Sequence, residues 1–186
     1  MPTNPDRQLS TAEVRRAQVI AAAIPLFAQR GYYGTSTNDV AGAAKLSQAY
    51  VYRLFPHKEA LFVAVVETVT TRLHDAIKAV ADEVRTTSPQ AGVRDILPEV
   101  ARRLHEDRDL IAILMHGNCA AVEPGIRDAV RDCYRAQVDF LRDDLGAPDA
   151  DIPWFIASGL LSNVMFALEA SDVDEPWAAA LFGALR

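Results

Sequence analysis

A chain of 186 residues, half of them hydrophobic and 24% charged, is long enough for one good core or for a small domain joined to a larger one. No apolar run approaches the ~20 residues that span a bilayer, the opening PTNPDRQ has no apolar signal core, and two cysteines are too few for a disulfide scaffold, so a cytoplasmic protein is expected. The net charge of −6 would by itself argue against nucleic acid, but it is unevenly spread: through Lys58 there are seven basic and three acidic residues, and from 59 to 186 there are 12 and 22.

Residues 1 to 9 hold two prolines among polar neighbours and are expected as a disordered arm. Ser10 and Glu13 have the spacing of a capping box, and Val14, Ala17, Ala21, Ile24 and Ala28 then recur at helical spacing as far as Gly31. Pro25, inside this first helix, lacks the N–H that would bond to the carbonyl of Ala21 and is expected to kink it.

Two short helical patterns follow. Ser36 is a plausible N-cap with Asp39 able to reach back to it, and Val40, Ala41 and Ala44 give a small apolar face that lets another helix approach closely. Lys45 and Leu46 form the turn, and Ser47 caps the second helix. In that helix Val51 and Phe55 lie four apart on the buried face, leaving Gln48, Ala49, Tyr50 and Arg53 on the opposite face before Pro56 ends it. Such a helix suits a major groove, although an ordinary helical hairpin with a solvated polar face has the same spacing.

Residues 10 to 62 resemble the DNA-binding domain of the tetracycline-repressor (TetR) family. Thr35, Ser36, Ala41, Ala44, Ser47, Tyr52, Phe55, Lys58, Glu59, Ala60 and Leu61 stand in the family's register, and LFAQRGYYGTS at 26 to 36 resembles the end of its first helix. The resemblance implies DNA contacts from Thr35, Ser36, Thr37, Ser47, Gln48, Ala49, Tyr50, Tyr52, Arg53 and Lys58, the last through a phosphate at a helix N-terminus. Lys45 stands where the family has glycine; if its backbone is left-handed it carries strain of order 1 kcal/mol, while its charge is available to a phosphate. Tyr50 is larger, Leu54 less polar and His57 different from the usual residues at their positions.

From Lys58 to about Arg85 the apolar positions Leu61, Val65, Val69, Leu73, Ile77, Val80 and Val84 predict one long helix, followed by the linker TTSPQAG. Further helices are expected over 93–104, from Leu110 to the VEPG turn at 122–125, over 126–145 and from Pro153. A short one over 176–185 makes about nine in all, and no stretch alternates with period two. The expected fold is all-α: a three-helix head over 10–57 and a helical regulatory and dimerisation domain over 58–186. PWFIASGLLSNVMFALEA at 153–170 is apolar nearly all round and must be covered on all sides. A second copy would supply that cover, with Gly159 and Ser162 allowing close approach and Trp177, Leu181 and Phe182 adding apolar surface.

Family resemblance implies a small hydrophobic effector among the later helices. Val69, Leu73, Leu104, Leu114, Phe155 and Phe166 are candidates to line its cavity, with His116, Tyr134 and Asn163 as polar handles. His116 and Cys119 are three apart but lack a third ligand nearby, and no phosphate loop or nucleophile elbow occurs, so neither cofactor nor metal nor enzymatic activity is expected; Cys119 and Cys133 read as inert thiols rather than a redox pair. The sequence therefore points to a homodimeric TetR-like repressor of a palindromic DNA operator. Two alternatives stay open: a DNA-binding architectural or cell-division factor without effector, and a helical-bundle enzyme or lipid carrier.

Overall fold

The structure, a computed structural model, describes residues 5–183, with side chains described over 11–181. The described chain is helical, with no strand: α1 (Pro5–Gly34), α2 (Thr37–Ala44), α3 (Gln48–Leu54), α4 (Lys58–Thr87), α5 (Val93–Leu104), α6 (Arg108–Cys119), α7 (Pro124–Asp139), α8 (Ile152–Ala167) and α9 (Pro176–Gly183). The expected elements are present, with two differences at their edges. α1 starts at Pro5, so residues 5–9 are helix and not arm; proline suits a first helical position, where no N–H is needed. Residues 1–4 of the expected arm, the end of the last helix beyond Gly183 and the side chain of Phe182 lie outside the described residues. α7 closes through a π-helical turn, Phe140–Asp144, in which the Leu145 N–H donates to the Phe140 carbonyl at 3.1 Å.

The break in α1 is not at Pro25. Helical dihedrals continue through the proline, and the one non-helical residue is Gly31, at φ 68° and ψ −180°, a conformation open essentially to glycine. Thr35, buried at 2% exposure, closes this corner by donating its hydroxyl to the carbonyls of Leu26 and Gly31 at 3.1 and 3.0 Å. Gly31 also lies against His116 of α6, whose Nε2 is 3.1 Å from the Ala28 carbonyl.

The chain forms two compact units, Met1–Val69 with Ala112–Arg131, and Thr70–Ile111 with Asp132–Arg186. The head is thus larger than residues 10–57: it takes in the start of α4 and the α6–α7 corner. Its core is built on Val19, Ala23, Phe27, Val40, Val51, Phe55, Leu61 and Phe62, with Phe27 edge-on to Phe62 at 4.9 Å. The second unit buries Ile77, Val80, Ile96, Leu97, Leu141, Ile152, Phe155 and Met165. There the Arg85 guanidinium donates to the carbonyls of Ala91 and Leu145, two acceptors the helices leave open.

α8 has two different faces. Ile152, Phe155, Ser158, Ser162 and Met165 are buried, while Leu160, Val164 and Leu168 are 40, 43 and 59% exposed. Ser162, expected to face a second copy, instead points inward at 5% exposure, its Oγ 3.2 Å from His105 Nε2. Helical spacing puts Ser162 on the stripe of Phe155 and Met165, which a uniformly apolar sequence does not reveal. His105 stacks on Phe166 at 4.4 Å, and His74 stacks on Phe140 at 4.7 Å.

Two predictions follow from this packing. Gly31→Ala must strain a glycine-only backbone and bring its Cβ to 3.1 Å from His116 Nδ1, so it should destabilise by about 2 kcal/mol or more. At Gly146, also at φ 68°, an added Cβ meets nothing within 4 Å and only the smaller backbone term of about 1 kcal/mol applies; equal melting temperatures for both variants and wild type would refute this. The second concerns acid. Burial holds His74 and His105 below the ordinary histidine value of 6.5, opposed at His74 by the Asp75 and Asp144 carboxylates and at His105 by the bond to Ser162. Their contribution to stability is complete above the unfolded value and is lost as pH falls through the depressed folded values. Thermal unfolding from pH 8 to 5 should show that decline, and His105→Gln should make it shallower.

Candidate nucleic-acid interface

The head positions one short helix. α2 opens with a full capping box: the Ser36 Oγ accepts from the Asp39 N–H at 3.1 Å, and Asp39 Oδ2 accepts from the Ser36 N–H at 3.0 Å and from its hydroxyl at 2.7 Å. The Ser36 hydroxyl and backbone bonds, chief among the causes, hold the Asp39 carboxyl below its usual range, with the Arg30 charge adding to them. α2 ends at Lys45, which is left-handed at φ 55° and ψ 41°, and the Leu46 N–H returns to the Ala41 carbonyl at 3.0 Å. Ser47 then caps α3 by accepting from the Tyr50 N–H at 3.2 Å.

Val51 and Phe55 are buried at 0 and 1%, whereas Ser47, Gln48, Ala49 and Arg53 are exposed, Tyr50 half-buried and Tyr52 45% exposed. The Arg53 guanidinium lies over the Tyr50 ring at 4.8 Å. α1 fastens both short helices at their carboxyl ends: Gln18 Nε2 donates to the Ala44 carbonyl at 2.9 Å, and Arg16 donates to the Leu54 carbonyl at 3.1 Å while stacked 4.1 Å over Phe55. Sequence reading missed these two residues. Their only signal was a polar pair beside an apolar stripe, with nothing to name the carbonyls they reach.

Of the residues expected at DNA, Ser36, Lys45, Ser47, Gln48, Ala49, Tyr52 and Arg53 are on the surface of the head, and Tyr50 is partly so. Thr35 is turned inward, as described above, because its hydroxyl closes the end of α1. Thr37 is 7% exposed; its hydroxyl donates to Tyr52 Oη at 3.0 Å and accepts from Gln48 Nε2 at 3.2 Å. Lys58 is also engaged within the fold. Its ammonium donates to the Tyr32 carbonyl at 2.9 Å and lies 4.3 Å over the Tyr32 ring, so the cation in the first turn of α4 serves the negative end of α1. His57, at the position just before that turn, accepts the Ala60 N–H on Nδ1 at 3.1 Å and so does cap α4. Glu59 reaches the other way, accepting the Gly125 N–H at the start of α7 at 2.7 Å.

The residues expected around an effector divide between the units. Val69, Leu114 and His116 belong to the first, where His116 is held by α1. Leu73, Leu104, Tyr134, Phe155, Asn163 and Phe166 belong to the second, with Leu73 and Phe155 buried and the others half-buried. In the dimerisation set, Gly159 is half-buried with open space about its Cα, and Trp177 and Leu181 are 41 and 38% exposed. No described helix is long and apolar enough to cross a membrane.

Two capped helices at a tight left-handed turn, the second exposing its polar face, define a helix-turn-helix protein. Residues 19–65 match the profile of the bacterial regulatory proteins, tetR family. The chain is 24% identical over 127 residues to the uncharacterised HTH-type transcriptional regulator YuxN of Bacillus subtilis, covering 68% of this chain and 43% of that one. In fold it is similar to B. subtilis FadR in complex with stearoyl-CoA, with a TM-score of 0.64, 13% identity and coverage of 91 and 95%. Salmonella enterica GusR gives a TM-score of 0.66 at 19% identity, covering 92 and 93%. The chain spans less than half the length of the curated relatives it matches. The match to the tetR family thus covers the helix-turn-helix head, and the likeness over the rest of the chain is one of fold.

Left-handed strain and a free charge meet at Lys45. Lys45→Gly should raise stability by about 0.5–1 kcal/mol by relieving the turn. It should also weaken duplex binding and lower the salt slope by roughly one; a variant that is more stable yet binds with an unchanged slope would remove Lys45 from the interface.

Proposed function

We propose that the chain is a homodimeric, cytoplasmic DNA-binding transcriptional regulator, a repressor that holds a palindromic operator and leaves it when a small hydrophobic effector binds. The reading rests above all on α3: its outward face of Gln48, Ala49 and Arg53 is exposed while Val51 and Phe55 are fully buried behind it. The exposed Lys45 and the basic excess up to Lys58 supply phosphate contacts, and the acidic excess beyond it keeps the body off the duplex. Thr35 and Lys58, whose polar groups are spoken for inside the head, are left out of the proposed contacts.

Leu160, Val164 and Leu168, the last at the cap of α8, follow one another at four-residue steps and leave an apolar stripe, and Trp177 and Leu181 add to the exposed apolar surface. A second copy laid on that stripe would bury it and supply the second reading helix of a palindrome. The effector would lodge within the second unit among Leu73, Leu104, Phe155 and Phe166, with Tyr134 and Asn163 for its polar end; FadR, of the same fold, carries an acyl chain on a polar carrier. α4, continuous from Lys58 to Thr87, would carry the effect to the heads, provided the effector prefers the state that does not fit the operator.

Selection of bound sites from random duplex DNA, paired with sedimentation, tests the reading. A palindrome and a dimer are expected. Val164→Glu should give a folded monomer whose operator affinity falls about a hundredfold, because each head then binds alone. A wild type that ignores every duplex at low salt would end the DNA reading, and a variant still dimeric would move the interface off α8.

A further inference from the structure

The three polar groups shared by α2 and α3 form an ordered chain. Gln48 Nε2 donates to Thr37 Oγ1 at 3.2 Å, and the Thr37 hydroxyl donates onward to Tyr52 Oη at 3.0 Å. The Thr37 hydroxyl accepts one bond and gives the other, so the direction of the first link fixes the second, and a chain so aligned is polarised along its length. Thr37 is 7% exposed and cannot turn to water; Tyr52, 45% exposed, keeps its own hydroxyl proton for something outside the protein.

The geometry points to a base-reading device: Thr37 and Tyr52 are positioning residues that lock the Gln48 amide so that the head prefers adenine at one place in each half-site. This rests on the proposed DNA-binding function. With one N–H of Gln48 held by Thr37, the groups left to face outward are its carbonyl oxygen and its second N–H. Adenine offers in the major groove an N6 amino donor beside an N7 acceptor, which matches that pair. Guanine offers two acceptors, O6 and N7; a free amide could turn both of its N–H groups toward them, but the locked one sets its carbonyl against O6. The hydroxyls thus convert a side chain that would tolerate several bases into one that discriminates. At the far end, the free Tyr52 proton suits a backbone phosphate oxygen, so a correct phosphate contact would strengthen the same chain that orients the amide.

The test is site selection and titration with wild type, Gln48→Ala, Thr37→Val and Tyr52→Phe. Thr37→Val keeps shape while removing both bonds; Tyr52→Phe, at an exposed site, removes the terminal acceptor and keeps the fold if the buried change does not. Wild type should select a half-site with one adenine whose exchange for guanine lowers affinity about tenfold. Gln48→Ala should lose preference at that position alone. Thr37→Val should bind with the wild-type salt slope yet accept guanine there nearly as well as adenine, and Tyr52→Phe should show the same relaxation together with a general loss of affinity. A purely structural role for Thr37 would instead lower the melting temperature and all affinities alike, and that result overturns the inference. So does an unchanged half-site in Gln48→Ala, or a Thr37→Val selection identical to wild type. A wild type that selects no sequence is a different failure, that of the DNA-binding function itself.

Discussion

A helix of seven residues cannot hold itself together in water, and α3 is that long. Its position depends on what its neighbours do for its two ends. The amino end is closed locally by Ser47, and the carboxyl end by Arg16, which reaches from α1 to the Leu54 carbonyl while its guanidinium lies over the Phe55 ring. Gln18, two residues along, does the same for α2. α1 is therefore the clamp of the head as well as a wall of its core, and the outward face of α3 is free to vary because none of these bonds uses it.

The same logic of helix ends explains the adjacent opposite charges that open α4. Lys58 caps the carboxyl end of α1 through the Tyr32 carbonyl, and Glu59 caps the amino end of α7 through the Gly125 N–H. Each charge lies at the helix terminus of opposite partial charge, where its hydrogen bond is charge-assisted. Together with His116 against Ala28 and Tyr33 against Glu123, they bind the α6–α7 corner into the head. The head so built includes residues far apart in sequence, a consequence of satisfying termini and not of apolar pattern.

In the second unit, polar groups again choose between two faces that look alike in sequence. Ser158 and Ser162 are buried on α8 while Leu160, Val164 and Leu168 are exposed, the reverse of what side-chain polarity alone would favour for an isolated chain. Ser162 goes inward because His105 is there to meet it. The leucines and valine left outside form a surface suited to a self-complementary contact, and that surface is the physical basis of the proposed dimer.

The sequence by itself determined the helices, the capping box at Ser36, the N-cap at Ser47, the turn at Lys45 and the buried pair Val51 and Phe55, because these depend on neighbours three or four residues away. It also carried, over residues 10 to 62, the resemblance to the TetR family's DNA-binding domain. What only tertiary structure decided is where the long polar side chains go: that Thr35 turns inward, that Lys58 donates to the Tyr32 carbonyl, that the helix break falls at Gly31 and not Pro25, and that Thr37, Gln48 and Tyr52 join in one chain. Flexible or hydroxyl-bearing side chains can satisfy many partners at similar free energy, so their choice is made by which backbone groups packing brings within 3 Å, and no local pattern encodes that.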